Sequence, residues 1–315
     1  MSAGLEIRTK AGVADGVLIA RKEAGWTSHD VVAKVRGLLG GVKVGHAGTL
    51  DPAATGVLPL LIGRATRIAE YLVGWEKEYH TVLRLGEVTD TQDATGTVLA
   101  RVDASGVTSA AVQEVLGRFR GPQKQVPPMY SAIKVGGRPL YKAARAGQTV
   151  ERAERDIVIH ELDFMDMTGR DVTVRVVCSK GTYIRTLCAD IGQALGVGGH
   201  MAVLERRRVG ELSIDEALTV EQIAAQHAIG TLGTHLWTLD RVLGRLPACV
   251  VTEQEAVRVL HGAPVRPEGW SGVQGSTPVR LKDSQGKLLA IGFSDSVAHG
   301  PITIQKVLVD LGSLN

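Results

Sequence analysis

The apolar pattern of this chain changes its period abruptly past its midpoint. Val172, Val174 and Val176 alternate with Thr173 and Arg175, which is a strand period, and Ile184, Leu187, Cys188, Ile191 and Leu195 then recur at helical spacing. A strand therefore runs into a helix. The turn between them, Ser179-Lys180-Gly181-Thr182, is a place where rigid elements on either side can aim side chains at a ligand. Helical spacing also governs Val112, Val115, Leu116 and Phe119, and Thr27 with Asp30 reads as a capping pair opening an amphipathic helix over about Ser28–Leu39. After Pro247, short apolar runs are separated by Gly262-Ala263-Pro264, Gly272 and Asp283-Ser284-Gln285-Gly286, which predicts small β-structures and a boundary near Leu246.

At 315 residues the chain is long enough for two such units, and 44% hydrophobic against 22% charged residues argues against a disordered or fibrous protein. No apolar run reaches the roughly 18 residues that suggest a membrane span. Met1–Gly16 carries Glu6, Arg8, Lys10 and Asp15 where a leader would be apolar, so residues 1–15 read as a loose extension and the cytoplasm is expected. Cys178, Cys188 and Cys249 have no partner at disulfide or metal-site spacing and read as buried thiols. The net charge of +3 is too small to imply nucleic acid, but its distribution is uneven. From Val115 to Val150 there is no Asp or Glu, while Arg118, Arg120, Lys124, Lys134, Arg138, Lys142 and Arg145 stand unopposed within the stretch. Gly121-Pro122, Pro127-Pro128 and Gly136-Gly137 make it turn-rich, which fits a basic flap as well as an ordinary solvated surface.

The densest candidate for chemistry is the run Gly45 to Gly56, with His46, Asp51 and three glycines in twelve residues. Pro52 biases Asp51 toward extended backbone, and the glycines permit close chain approach, so the carboxylate can project from a rigid turn. Gly40 and Gly45 have the spacing of a phosphate-binding loop, but His46-Ala47 stands where Lys and Ser or Thr are required. Ser28-His29-Asp30 contains the residue types of a catalytic triad, yet neighbours at a helix start point in different directions. The histidines show no ligand pair beside an acid, so a metal hydrolase is not expected. A lone turn aspartate is as a rule only a local backbone cap.

The wider series of motifs changes that reading. Gly45–Gly56 resembles the active-site motif of the bacterial TruB family of tRNA pseudouridine synthases, which act on uridine 55 of the T loop. Gly16-Val17-Leu18-Ile19 with Gly25-Trp26-Thr27-Ser28-His29-Asp30-Val31-Val32, then Gly63-Arg64-Ala65-Thr66-Arg67, are similar to the next motifs of that family. Leu85-Gly86 with Thr89–Gly96, then Pro127–Lys134, and Cys178–Arg185, follow in family order. The resemblance covers about residues 16–209, and a weaker one to a PUA domain, through His261-Gly262-Ala263-Pro264-Val265, covers the tail. Lys22-Glu23 departs from the family's Lys-Pro pair.

The resemblance implies an α+β fold: a mixed, mainly antiparallel sheet with flanking helices over 16–246, an RNA-binding thumb insertion at about 122–155, and a PUA-like β-barrel over 247–315. It implies Asp51 as the catalytic aspartate, Arg185 as its partner cation and Tyr79 as the ring stacked on the target base. Tyr183 and Leu204 match positions lining the uracil pocket, and His46 matches the residue that fills the space of an everted base. Arg67, Lys134, Arg138, Lys142, Arg145 and Lys180 are candidates for RNA contact, and Arg206, Arg207 and Arg208 could extend their track. The expected partner is tRNA, held by its T-stem loop and its acceptor side, by a monomer without metal, cofactor, membrane or guide RNA. Two rivals stand beside it. One is an RNA-binding or tRNA-folding protein on the same scaffold, and the other is the guide-dependent dyskerin-type subunit, which shares the Gly-Thr-Leu-Asp-Pro turn but is disfavoured by the insertion.

Overall fold

A computed structural model describes residues 14–131, 134–135, 138–139, 150–272, 277–294 and 300–310, with only the backbone described at 134–135 and 138–139. The chain opens with β1 (Gly16–Lys22), and the helix Ser28–Leu38 leads to β2 (Val44–His46) and β3 (Thr55–Ile62). Next come β4 (Lys77–Leu85), a hairpin of β5 (Glu87–Thr89) and β6 (Val98–Arg101), the helix Ser109–Arg118 and β7 (Gly121–Gln125). Two short strands, β8 (Lys134–Val135) and β9 (Arg138–Pro139), pair with each other before the long β10 (Arg155–Thr168) and β11 (Asp171–Cys178). The helix Ile184–Ala194 then runs into β12 (Gly199–Val209), β13 (Leu212–Ser213), the helix Val220–Ala228 and β14 (Leu236–Trp237). The last elements are β15 (Ala248–Val250), the helix Glu253–Leu260, β16 (Thr277–Lys282), β17 (Leu288–Ser294) and β18 (Ile302–Val307).

Ten strands form one sheet in the order β14-β1-β3-β12-β4-β11-β10-β7, with β13 attached to β12 and β2 to β3. Every pairing in it is antiparallel except β3 with β12, so the expected mixed, mainly antiparallel sheet is observed. Strand β12, late in the sequence, is inserted between the early strands β3 and β4, and this brings distant motifs together.

The local signals explain the elements. Thr27 and Asp30 form a reciprocal capping box at the start of the first helix, which closes at Leu38. Residues alternate across β1: Leu18 and Ala20 meet Val31, Val35 and Ile223 in one core, while Val17 and Ile19 face Ile68, Leu72 and Trp237 in another. A third core, under the helices Ser109–Arg118 and Ile184–Ala194, gathers Leu83, Val174, Val176, Leu187 and Ile191 with Leu50, Tyr79 and Leu204.

The tail corrects one expectation. Its strands form an open sheet in the order β15-β16-β17-β18, whose outer strands do not pair, so no closed barrel is found among the described residues. Apolar alternation predicts strands, but closure depends on tilt and stagger, which alternation does not encode. This sheet is docked on the large one. Leu288, Ile291 and Leu308 share a core with Val17 and Trp237, and Asp240 joins Arg280 at 2.7 Å and Lys282 at 2.6 Å.

Candidate active site

The loop from Ala47 to Ala54 joins β2 to β3 and is fixed from several sides. The Ser28 hydroxyl donates to the Leu50 carbonyl at 3.2 Å and accepts from its amide at 2.9 Å, so the first residue of the first helix bolts this loop. Gly25 donates its amide to the Pro52 carbonyl at 2.9 Å. Lys22, fully buried at the end of β1, donates to the carbonyls of Trp26 at 2.6 Å, Glu23 at 3.0 Å and Pro52 at 3.1 Å. The Glu23 side chain is exposed, and only its backbone carbonyl takes part in the seat of Lys22. Gly56, at φ +101°, lets β3 approach β12 so closely that a Cβ there would lie 2.2 Å from the Arg206 carbonyl.

Asp51 emerges from this loop beside Arg185, the second residue of the helix Ile184–Ala194, with Nε 3.1 Å from Oδ2. The guanidinium is almost fully enclosed and also faces Asp93 at 3.6 Å, the Thr91 carbonyl at 3.5 Å and the Tyr130 carbonyl at 2.8 Å. Its position is thereby fixed independently of Asp51. The Asp51 side chain keeps 42% of its surface open, enough for a reacting group to reach it, while surrounding atoms displace much of its water. Burial pushes its carboxyl above the ordinary range; Arg185 and Lys22 oppose that and Asp93 adds to it. Asp93 is a site residue that motif reasoning left unassigned. Its carboxylate takes Thr91 and Thr95 hydroxyls at 2.7 and 2.6 Å, and the neighbouring Gln92 has φ +62°, the one positive non-glycine φ among the described residues.

Tyr79 lies on β4, 8% exposed, in the same apolar cluster as Leu50 and Leu204. Burial pushes its phenol up to about 12, opposed by the Arg206 charge. Tyr183 caps the helix that carries Arg185, and the Gln125 amide grips both of its backbone groups, at 2.7 and 3.0 Å. His46 is half-buried, edge-on to His29 at 5.4 Å, and its Nδ1 is buried without a partner. Burial, with the His29 and Arg206 charges, pushes its pKa down, so at neutral pH it is an uncharged ring able to stack rather than a cation for phosphate.

The basic residues divide into those used internally and those left outward. Lys180 is exposed on the turn before Tyr183. Arg67, exposed, donates to the Val307 carbonyl of the tail sheet. The side chains of Lys134 and Arg138 and the whole of Lys142 and Arg145 lie outside the described residues. Three cations that stand unopposed in their own stretch find acids elsewhere: Arg118 meets Glu114 at 2.5 Å, Arg120 Asp163 at 3.0 Å and Lys124 Asp156 at 3.0 Å. The pairing of β7 with β10 supplies the last of these acids, and no local charge count reveals it. The arginine run does not form an outward track either. Arg206 is 2% exposed, Arg207 pairs with Glu205 at 2.9 Å, and Arg208 joins Glu76 at 2.8 Å and Glu78 at 3.1 Å. Among the described residues no group of three or more His, Cys, Asp or Glu is placed to hold a metal, and no helix is long and apolar enough to cross a membrane.

The chain is similar to known proteins over most of its length. Two family models match: TruB family pseudouridylate synthase (N terminal domain) over residues 36–184, and tRNA pseudouridylate synthase B C-terminal domain over residues 185–246. The tRNA pseudouridine synthase B of Thermobifida fusca is 43% identical over 300 residues, covering 93% of this chain and 99% of that protein. Its counterpart in Symbiobacterium thermophilum is 49% identical over 255 residues, 80% and 83% of the two chains. Among solved structures, a Cbf5-Nop10-Gar1 complex contains a chain that aligns with TM-score 0.75 and 26% identity over 95% of this chain and 86% of its own. Fold and relatives together define a pseudouridine synthase. The chain belongs to the TruB family of these enzymes.

Proposed function

We propose that the chain isomerises the uridine at position 55 of the tRNA T loop to pseudouridine, acting alone and without metal or cofactor. The observation that carries this reading is the contact of 3.1 Å between Arg185 and Asp51, within a loop anchored from β1, the first helix and β12. Breaking N1–C1′ and joining C5 to C1′ moves one proton off C5 and one onto N1, so substrate and product are isomers and no oxidant is consumed. An ionised Asp51 then serves as nucleophile toward C1′ or as base toward the C2′ proton, and Arg185 keeps the carboxylate charged and aimed. Tyr79 supplies a ring for the uracil to lie on and a phenol near C5, while Tyr183 and Leu204 limit the space in which the detached base turns.

Reaching a base inside a folded T loop requires eversion, at a cost of a few kcal/mol. In this reading the uncharged ring of His46 fills the vacated stack. Lys180 and the cations of the insertion, Lys134, Arg138, Lys142 and Arg145, hold the RNA backbone, and the tail sheet, with Arg67 at its junction, serves as the PUA-like element on the acceptor side in the cytoplasm. The test is purified protein with a T-arm transcript and no other macromolecule, mapped by carbodiimide and primer extension. A stop at the target uridine is expected. Binding without modification favours an RNA-binding module, and activity only after adding guide RNA and protein partners favours a guided enzyme.

A further inference from the structure

We propose that Arg206 is a positioning residue that locks the Asp51 loop to the strand bearing Tyr79, so that the two reactive groups move as one unit. The role presupposes the isomerase reading above and adds a residue to it. Arg206 sits on β12 directly opposite Tyr79 of β4 and, on its other side, opposite Gly56 of β3. Its guanidinium leaves the sheet toward the catalytic loop, where Nη2 donates to the Gly48 carbonyl at 2.9 Å, Nη1 to the Thr49 carbonyl at 3.4 Å and Nε to the Val57 carbonyl at 2.7 Å. Two of those carbonyls lie two and three residues before Asp51.

The arrangement is chemically unusual. A buried guanidinium is ordinarily matched by a carboxylate, because an uncompensated buried charge is costly. Arg206 has no carboxylate partner among the described residues; carbonyl oxygens and the Tyr79 phenol face it instead. Its charge is felt by Lys22, His46, Lys77 and Tyr79. The other groups facing the phenol are Cys178, at the end of β11, and Asp51 itself, both of which disfavour its ionisation, so Arg206 alone opposes them. A device that only held the fold together would need the three carbonyl contacts, but not a place opposite the tyrosine. Solvent barely reaches Arg206, so RNA binding does not depend on touching it.

Steady-state kinetics of the full chain on a T-arm transcript test this with Arg206→Lys, Arg206→Met, Tyr79→Phe and the double variants. Arg206→Met is expected to lose about 100-fold in kcat, as for a displaced reacting group, with KM held within about twofold. Arg206→Lys, which keeps the charge without the fork, is expected to recover part of that loss. Each Arg206 variant combined with Tyr79→Phe is expected to fall short of the product of the single losses by about tenfold, because the two act together. Losses that simply multiply, a change confined to KM, or an unchanged kcat in folded Arg206→Met overturn the assignment. Should Arg206→Met fail to fold, the Arg206→Lys cycle decides by the same criterion. A wild type that makes no pseudouridine sinks both readings, whereas a working wild type with multiplicative losses sinks this one alone.

Discussion

At the scale of single residues, the proposed chemistry rests on one carboxylate whose ionisation is contested. Burial drives Asp51 toward its neutral form and Arg185 holds it charged. Asp51→Asn is expected to abolish turnover while tRNA still binds in a filter or mobility assay; a folded variant that no longer binds would reduce Asp51 to a loop cap. The pH dependence follows from the same balance. In the proposed reaction the working form is the anion and its pKa is raised, so kcat/KM should fall as pH drops through a value above the usual carboxylate range. Arg185→Met removes the charge that lowers that pKa, so the acid limb of its profile should move to higher pH, alongside a loss in rate. An acid limb that stays in place would separate Arg185 from the ionisation of Asp51. Asp51, Arg185 and Tyr79 can be singled out in the sequence because their motifs are local and specific, and the structure sets Asp51 against Arg185. Arg206 cannot, since a run of three arginines on a strand alternates between faces, and only the position of β12 between β3 and β4 shows that the first is buried while the next two pair outward.

Among the elements, the junction of β3 with β12, the one parallel pairing in the large sheet, leaves no room for a side chain at Gly56. Gly56→Ala puts a Cβ 2.2 Å from a backbone oxygen at φ +101°, which should cost about 2–4 kcal/mol in chemical denaturation from overpacking and backbone strain together. Gly181→Ala, at φ +84° but with open space around it, should cost only about 1 kcal/mol. Equal losses at the two sites would show that conformation rather than close approach dominates. The strand, turn and helix around residues 171–194 were readable from period alone, because each period reflects one buried face. The flanking partners were not: nothing in the local pattern says that Lys124 will meet Asp156 or Arg208 will meet Glu78.

Taken whole, the molecule is less divisible than its sequence suggests. The composition break near Leu246 marks a change of local structure, yet Leu308, 4% exposed, packs in one core with Val17, Ile19 and Trp237. Leu308→Ala should therefore destabilise the large sheet along with the tail, by about 2–5 kcal/mol, and shift a single calorimetric transition downward. Two separate transitions, with only the smaller one moved, would contradict a shared core. The insertion between β7 and β10 is tied in at a different place. Gln125 holds Tyr183 by both backbone groups, and the carbonyl of Tyr130 takes an N–H of Arg185. The segment that leaves β7 is thus knotted to Tyr183 and to Arg185, and any tug along it is felt first by the ion pair of Arg185 with Asp51.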